Sequence, residues 1–177
     1  PTLHNGRVYA LGGTGILTVL DAMDGSRIWV KDAANDAKVY VPSVWYGFSG
    51  SPLIVGDQVI VALSSTLVSY DLESAEKRWE SPGESSSYSS PHLLTIDSVP
   101  QVLLMSYASA TSVSPADGQT LWTHDWREGV RIVQPVLTAN GDLLMSAGEG
   151  NGLRRLSIKQ SAGNWQVHEI WTTNRLK

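Results

Sequence analysis

Three observations predict an all-β fold made of repeated four-stranded antiparallel sheets. Apolar residues recur with a period of two along much of the 177-residue chain, the spacing that places alternate side chains on one face of a strand. One stretch, Leu17 to Trp29, returns as Leu67 to Trp79 and again, more loosely, as Thr111 to Trp122. Clusters of Gly, Asn, Asp, Ser and Pro separate the runs, and residues of that kind make the turns between neighbouring strands. Composition agrees: 42% hydrophobic and 17% charged residues, with 16 Gly and 8 Pro, suit short strands and many turns better than surface helices.

The repeated stretch reads as a hairpin. In its three copies a run reaches Asp21, Asp71 or Ser114, turns through Asp24-Gly25, Ser74-Ala75 or Asp117-Gly118, and closes on Trp29, Trp79 or Trp122. Asp-Gly is a strong hairpin signal because Gly accepts positive φ and Asp bonds its own backbone. Ala75 lacks that freedom, so a different turn type is expected there. Asp21 and Asp71 are expected to pin the turns by accepting backbone N–H bonds, and the tryptophans to be core.

Taken in order, the first unit opens at Pro1-Thr2-Leu3-His4, turns at Asn5-Gly6, runs Arg7 to Leu11, and bends at Gly12 to Gly15 before the first hairpin. That bend is not read as a phosphate cradle, since no helix follows to supply an N-terminus. A long connector, Val30 to Gly50, carries Tyr40, Trp45, Tyr46 and Phe48. The second unit starts at Ser51-Pro52, turns at Gly56-Asp57, bends at Ser64-Ser65-Thr66 and ends in the second hairpin. A serine-rich connector, Ser81 to Ser89, leads to the third unit, with a strand His92 to Ile96, a turn Asp97-Ser98-Val99-Pro100 and a strand Gln101 to Tyr107. The fourth unit opens at Gln134-Pro135, turns at Asn140-Gly141, bends at Gly148 to Gly152, and ends in a hairpin of Leu153 to Ile158 and Trp165 to Trp171 around Ser161 to Asn164. Pro1, Pro52, Pro91 and Pro135 share one phase, at strand starts where no ladder donor is needed.

The closing tryptophans Trp29, Trp79, Trp122 and Trp171 stand 50, 43 and 49 residues apart. Four strands per period of about 40 to 50 residues is the signature of β-propeller blades. The expected blades are residues 1–30, 51–80, 90–124 and 133–171. Residues 172–177 read as the start of a connector to a fifth, so the chain is expected to be part of a seven- or eight-bladed ring. Starting at Pro1 rather than Met is what a processed or excised segment would show. A partial ring exposes two apolar faces, which soluble monomers rarely tolerate. Two copies are therefore expected to pair into an eight-bladed ring, or the four blades to close alone.

These residues resemble the pyrroloquinoline-quinone-like (PQQ-like) β-propeller repeat family, whose repeat reads Ala-x-Asp-x-x-Thr-Gly-x-x-x-Trp. Asp21, Asp24, Gly25 and Trp29 match it, as do Asp71, Ser74, Ala75 and Trp79, and more loosely Ser114, Asp117, Gly118 and Trp122; the fourth unit keeps only Trp171. The resemblance implies that each tryptophan packs between neighbouring blades. The family holds quinoprotein dehydrogenases, with quinone and calcium above the axis, and non-enzymatic scaffolds such as the outer-membrane-protein assembly lipoprotein. The chain has no cysteine and no recognisable quinone or calcium ligand set, so it looks nearer to the scaffolds. That implies an extracytoplasmic location and no cofactor.

The expected function is therefore a non-catalytic scaffold for a protein or peptide. Connectors after Trp29, Trp79 and Trp122 should share one face, and Tyr40, Trp45, Tyr46, Tyr88, Trp126, Arg127 and Arg131 are its candidate contacts, aromatics and arginines being common interface anchors. The same residues can instead seal the ring. A PQQ-dependent dehydrogenase fragment and the extracellular sensing domain of a receptor such as a kinase are the alternatives. A formal charge of −4 with no basic run disfavours nucleic acid and anionic lipid, and no apolar run is long enough to span a bilayer as a helix. His4, His92, His124 and His168 are scattered singly, so no zinc site is expected. No Gly-x-Ser-x-Gly elbow occurs, and Glu149 in its glycine-rich bend is too isolated a carboxylate to hold calcium.

Overall fold

The computed structural model describes residues 1–40, 45–127, 129–148 and 150–175. Glu149 lies outside them. The described strands form four sheets, each antiparallel and each in simple chain order. The first holds β1 (Thr2–His4), β2 (Arg7–Leu11), β3 (Ile16–Asp21) and β4 (Arg27–Asp32). A single helical turn, α1 (Ala33–Asp36), follows. The second holds β5 (Leu53–Val55), β6 (Gln58–Leu63), β7 (Thr66–Asp71) and β8 (Lys77–Ser81); the third β9 (His92–Ile96), β10 (Val99–Met105), β11 (Ser109–Val113) and β12 (Thr120–Asp125). The fourth holds β13 (Val136–Leu137), β14 (Leu143–Ala147), β15 (Gly152–Ser161) and β16 (Asn164–Thr173). These are four propeller blades, with first strands β1, β5 and β9 in contact along the inner edge.

Burial shows how the blades stack. In β6 every residue is buried, because sheet two is covered on both faces. In β3 and β14 burial alternates, because the end sheets are covered on one face only. Tyr9, Leu17 and Val19 of sheet one meet Val59, Val61 and Tyr70 of sheet two. Ile60, Ala62 and Trp79 meet Val102, Leu104 and Val113 of sheet three. Leu103, Met105 and Trp122 meet Leu143, Met145 and Ile158 of sheet four. No core cluster among the described residues joins sheet four back to sheet one, and Leu3, Val30, Val136 and Trp171 on their outer faces are exposed. The expectation that four blades close alone is therefore overturned.

The repeated motif works at each seam. Register sets Trp29 opposite Val19 and Trp79 opposite Ser69, on the face toward the next sheet. Trp29 Nε1 donates to Leu72 O at 3.1 Å, and the Arg7 guanidinium donates to the same carbonyl at 3.2 Å. One seam on, Trp79 Nε1 and Gln58 Nε2 donate to Pro115 O at 3.0 and 2.7 Å. Within its own sheet, Gln58 Oε1 accepts from Ser69 and from Trp79; Gln101 Oε1 does the same for Ser112 and Trp122.

Several turns differ from expectation. Ala75 takes φ 58°, beside 72° at Gly25 and Gly118, and its N–H donates to Asp71 O as theirs donate to Asp21 O and Ser114 O. The three turns are thus of one kind, with alanine in left-handed backbone. Asp71 Oδ1 accepts from the N–H groups of Glu73 and Ser74 and Asp21 Oδ1 from that of Met23, which holds the turn against that strain. Those bonds and Arg78 hold the Asp71 carboxyl far below the usual carboxylate range. Val99 and Pro100 already pair with Ile96 and Thr95, so the third unit turns on Asp97 and Ser98 alone, both at positive φ. The last hairpin turns on Ala162 and Gly163, and its strands are each ten residues long.

Gly25 and Gly118 share a φ but not a setting. A Cβ at Gly25 meets nothing within 4 Å, whereas one at Gly118 lies 2.5 Å from Cε3 of Trp79. Gly25→Ala is expected to cost about 1 kcal/mol from backbone strain alone. Gly118→Ala is expected to cost about 3 kcal/mol, because a seam tryptophan must also move. Urea midpoints of the two variants check the difference; equal shifts would remove Trp79 from the argument.

Candidate functional site

The three connectors between sheets lie on one face, laid over the β2–β3, β6–β7 and β10–β11 turns. Phe48 N–H donates to Gly13 O. Ser64 Oγ donates to Ser85 O, and Ser65 Oγ accepts from Ser85 N–H. Tyr107 N–H donates to Ser86 O, and Trp126 N–H to Ala108 O. Main-chain partners at Gly13, Ser86 and Ala108, with the hydroxyls of Ser64 and Ser65, thus tie down segments that have no ladder.

The first connector is tied down at both ends. Its start is α1, where Asp32 caps the turn by accepting from Asn35 N–H and Ala33 and Ala34 donate to Gly15 O. Tyr70 OH donates to Asp36 Oδ2 at 2.9 Å; burial, then that carboxylate, push the phenol well above its ordinary range. Phe48, only 2% exposed, plugs the other end. Between these anchors Tyr40, Trp45 and Tyr46 stand out at 77%, 93% and 82% exposure. Tyr46 leans on half-buried Tyr88 of the second connector, ring centroids 5.7 Å apart.

That second connector leads from the aromatic patch to a groove of about 310 Å³ between the outer strands of sheets two and three. Hydroxyls of Ser65, Ser85, Ser109, Thr111 and Thr123 line it with the charged groups of Glu84, Asp125 and Arg127. Apart from Arg127 these residues were not singled out from the sequence. Their one visible signal was the serine-rich composition of 81–89, which does not say where the chain folds back.

Trp126 and Arg131 stand elsewhere. Trp126 is 6% exposed and Arg131 2% exposed, so neither contributes to the surface expected from the sequence. Arg131 donates to Ser106 O and Trp126 O, and its guanidinium sits 4.9 Å from the Trp126 ring centroid. Arg154 of β15 sits 4.4 Å from the same ring and bonds His124 Nε2 at 2.9 Å. Burial, then the charge of Arg154, lower the Arg131 pKa to about 10, so it stays a cation at neutral pH. The pair clamps the indole between sheets three and four by cation–π attraction.

Where first strands converge there is a cavity of about 360 Å³ whose polar lining is Thr2, His4, Ser51, Ser90, His92 and Gln134. It has no carboxylate. Among the described residues no cluster of three or more His, Asp or Glu side chains could hold a metal, and calcium needs six to eight oxygens. This chain's share of the lining therefore offers calcium no carboxylate. No described helix is long and apolar enough to cross a membrane.

A family model described as outer membrane protein assembly factor BamB matches residues 1–95, more than half of the chain. The chain belongs to this PQQ-like repeat family. Among solved structures, BamB from Moraxella catarrhalis matches at 20% identity and a TM-score of 0.63, over 96% of this chain and 46% of that one. Quinohemoprotein alcohol dehydrogenase from Comamonas testosteroni matches at 16% and 0.64, over 99% and 35%. A europium-containing methanol dehydrogenase matches at 14% and 0.64, over 95% and 40%. At these identities the likeness is one of fold, which carries an assembly factor in one case and dehydrogenases in the others. This PQQ-like chain spans less than half the length of each. No curated protein matches the sequence.

The His124 contact makes one seam of this PQQ-like chain sensitive to pH. Burial, then the positive charge of Arg154, lower the His124 pKa below its ordinary value, against smaller opposing effects of Glu169 and Asp125. The unfolded chain binds a proton near pH 6.5 while the folded chain resists it, so stability falls as pH drops below about 6.5. Thermal midpoints are expected to decline between about pH 7.5 and 5.5, and His124→Gln to flatten that decline. An unchanged slope in the variant would assign the decline to other groups.

Proposed function

We propose that this chain is a non-catalytic binding scaffold whose connector face takes a protein or peptide. The observation that carries the reading is the exposure of Tyr40, Trp45 and Tyr46 on the first connector, with Tyr46 against Tyr88 of the second connector, which leads on into the hydroxyl-lined groove. Aromatic rings with a polar edge give large contact area at little conformational cost. Serine and threonine hydroxyls beside them suit the backbone of an extended segment, and Glu84, Asp125 and Arg127 give the groove charges to set register. The opposite face carries the motif turns, tied by Arg7–Glu73 and by Arg78 to Asp57 and Asp71, and has no comparable aromatic cluster among the described residues.

Membership of a family described by an outer membrane protein assembly factor supports an extracytoplasmic address and a protein partner in outer-membrane assembly. The dehydrogenase reading draws on shared fold alone, and the axial lining does not favour it.

Trp45→Ala with Tyr46→Ala is expected to abolish partner binding and to leave the thermal midpoint within about 2 °C, since such exposed side chains contribute little to stability. A photo-crosslinking residue at Trp45 should trap a protein in the cell envelope, while the same residue at Met23, 92% exposed on the opposite face, should not. Equal trapping from both positions, or a large loss of stability in the double variant, would overturn the reading in favour of a sealing role.

A further inference from the structure

The three seams between sheets have an equivalent place at their connector ends. Counting four residues back from the strand partner of each seam tryptophan, Val19, Ser69 or Ser112, gives Gly15, Ser65 and Ala108. Against Gly15 lies a ring: a Cβ there would stand 3.0 Å from Cε2 of Phe48, which joins the core shared by sheets one and two. At Ala108 the carbonyl accepts from the N–H of Trp126, which joins the core shared by sheets three and four. Against Ser65 lies Gly83, where a Cβ would stand 2.2 Å from Ser65 O. Gly83 follows Trp79 by four residues as Trp126 follows Trp122, so the middle seam has a glycine where the next has an indole. Among the described residues, the core shared by sheets two and three accordingly contains strand residues alone.

The groove of about 310 Å³ occupies the place left open. Its floor is Leu67, Leu104 and Val113, all buried. The connector is held to the sheet-two side, Gly83 N–H donating to Thr66 Oγ1 at 3.3 Å and Ser85 N–H to Ser65 Oγ at 2.9 Å. At the rim Thr120, Thr123, Glu84, Asp125 and Arg127 are exposed, and among the described residues their side chains make no hydrogen bond or ion pair. A cavity of about 150 Å³ accepts a benzene ring, so this one has room for a ring and the main chain that bears it. An apolar floor below unengaged hydroxyls suits an aromatic side chain with its peptide groups at the rim. A sugar would set its own hydroxyls unpaired against that floor. Both walls lie inside the chain, so they do not depend on what adjoins sheets one and four.

We propose that the middle seam takes an aromatic side chain from an extended segment of a protein partner, which supplies there the plug that Phe48 and Trp126 supply in the flanking seams. The inference rests on the connector face being a protein-binding surface, and it names the partner's anchor. The ring lies on Leu67, Leu104 and Val113, and the segment's main chain meets the hydroxyls of Thr120 and Thr123.

The chain has no cysteine, so Thr123→Cys places a single thiol at the rim. Disulfide exchange with tetrapeptides Cys-Gly-X-Gly, X being Phe, Tyr, Leu, Ala or Ser, followed by mass spectrometry, gives the reductant concentration that strips each peptide. The Phe and Tyr peptides are expected to withstand about tenfold more reductant than the Ala peptide, the factor that burying a ring supplies. Met23→Cys, at a position 92% exposed on the opposite face, should hold all five alike. Adding Thr111→Phe, which brings a ring into the groove from β11, should erase the preference of the Thr123→Cys protein with β-sheet circular dichroism retained. Equal retention of the five peptides at Thr123→Cys, a preference that survives Thr111→Phe, or stronger retention of 1-thioglucose than of the Phe peptide would overturn the proposal. Partner trapping at Trp45 separates the two readings: equal retention with trapping intact removes only this anchor, whereas failed trapping removes the scaffold whatever the groove retains.

Discussion

At two of the three seams one main-chain carbonyl, shared by an indole N–H and a second side-chain donor from the sheet before it, fixes how the blades of this chain meet. Leu72 O takes Trp29 and Arg7; Pro115 O takes Trp79 and Gln58. The magnitudes divide the labour. Truncating a buried tryptophan costs about 3–5 kcal/mol through lost burial, while a single hydrogen bond contributes about 1 kcal/mol net. Burial of the indole thus supplies the stability. The N–H bond supplies direction, since flat apolar faces alone would slide. The carbonyl suits the task because it lies just past the end of a strand, where the ladder no longer claims it.

Much of this was legible because it is local. Asp, turn residue and tryptophan lie within one hairpin, so their spacing survives in sequence and gives the period of the fold. The Gln58–Ser69–Trp79 set is spread over three strands, yet it recurs at the same spacing as Gln101, Ser112 and Trp122; the signal existed but shows only when two units are aligned. Ala75 was misjudged because its strain is met by Asp71 and the Arg78 network, which a turn propensity does not contain. Trp126 and Arg131 were expected at the surface because their connector is irregular. Whether such a residue points outward depends on β15, which lies far along the chain and brings Arg154 to the same ring.

The two faces of the arc differ in kind. Tight turns with their aspartates and ion pairs make one face polar and self-satisfied, leaving few groups to offer a partner. The connector face must spend long segments to bring each outer strand back to an inner one. Only some of their residues are needed to plug seams, as Phe48 and Trp126 do. The remainder is free to diverge without disturbing the stack, and that separation lets one propeller family hold assembly factors and dehydrogenases alike.

The fourth sheet shows what happens when the shared carbonyl is lost. Counting three residues on from the strand partner of each seam tryptophan, Ser69 for Trp79 and Arg155 for Trp171, the place of Leu72 falls at Ile158, which lies inside β15 and pairs with Val167. No turn carbonyl is presented there, so Trp122 bonds only within its own sheet and buried Gln101 Nε2 has no partner among the described residues. An orphaned amide of this kind costs about 1–3 kcal/mol. The extended hairpin offsets it by reaching back over sheet three. Arg154 stacks on Trp126 and bonds His124, and Gln160 N–H donates to Asp97 Oδ2 at 2.8 Å. This seam is therefore held by charged and aromatic groups at its outer edge, and the repeat motif fades from the sequence at the place where other chemistry takes over its work.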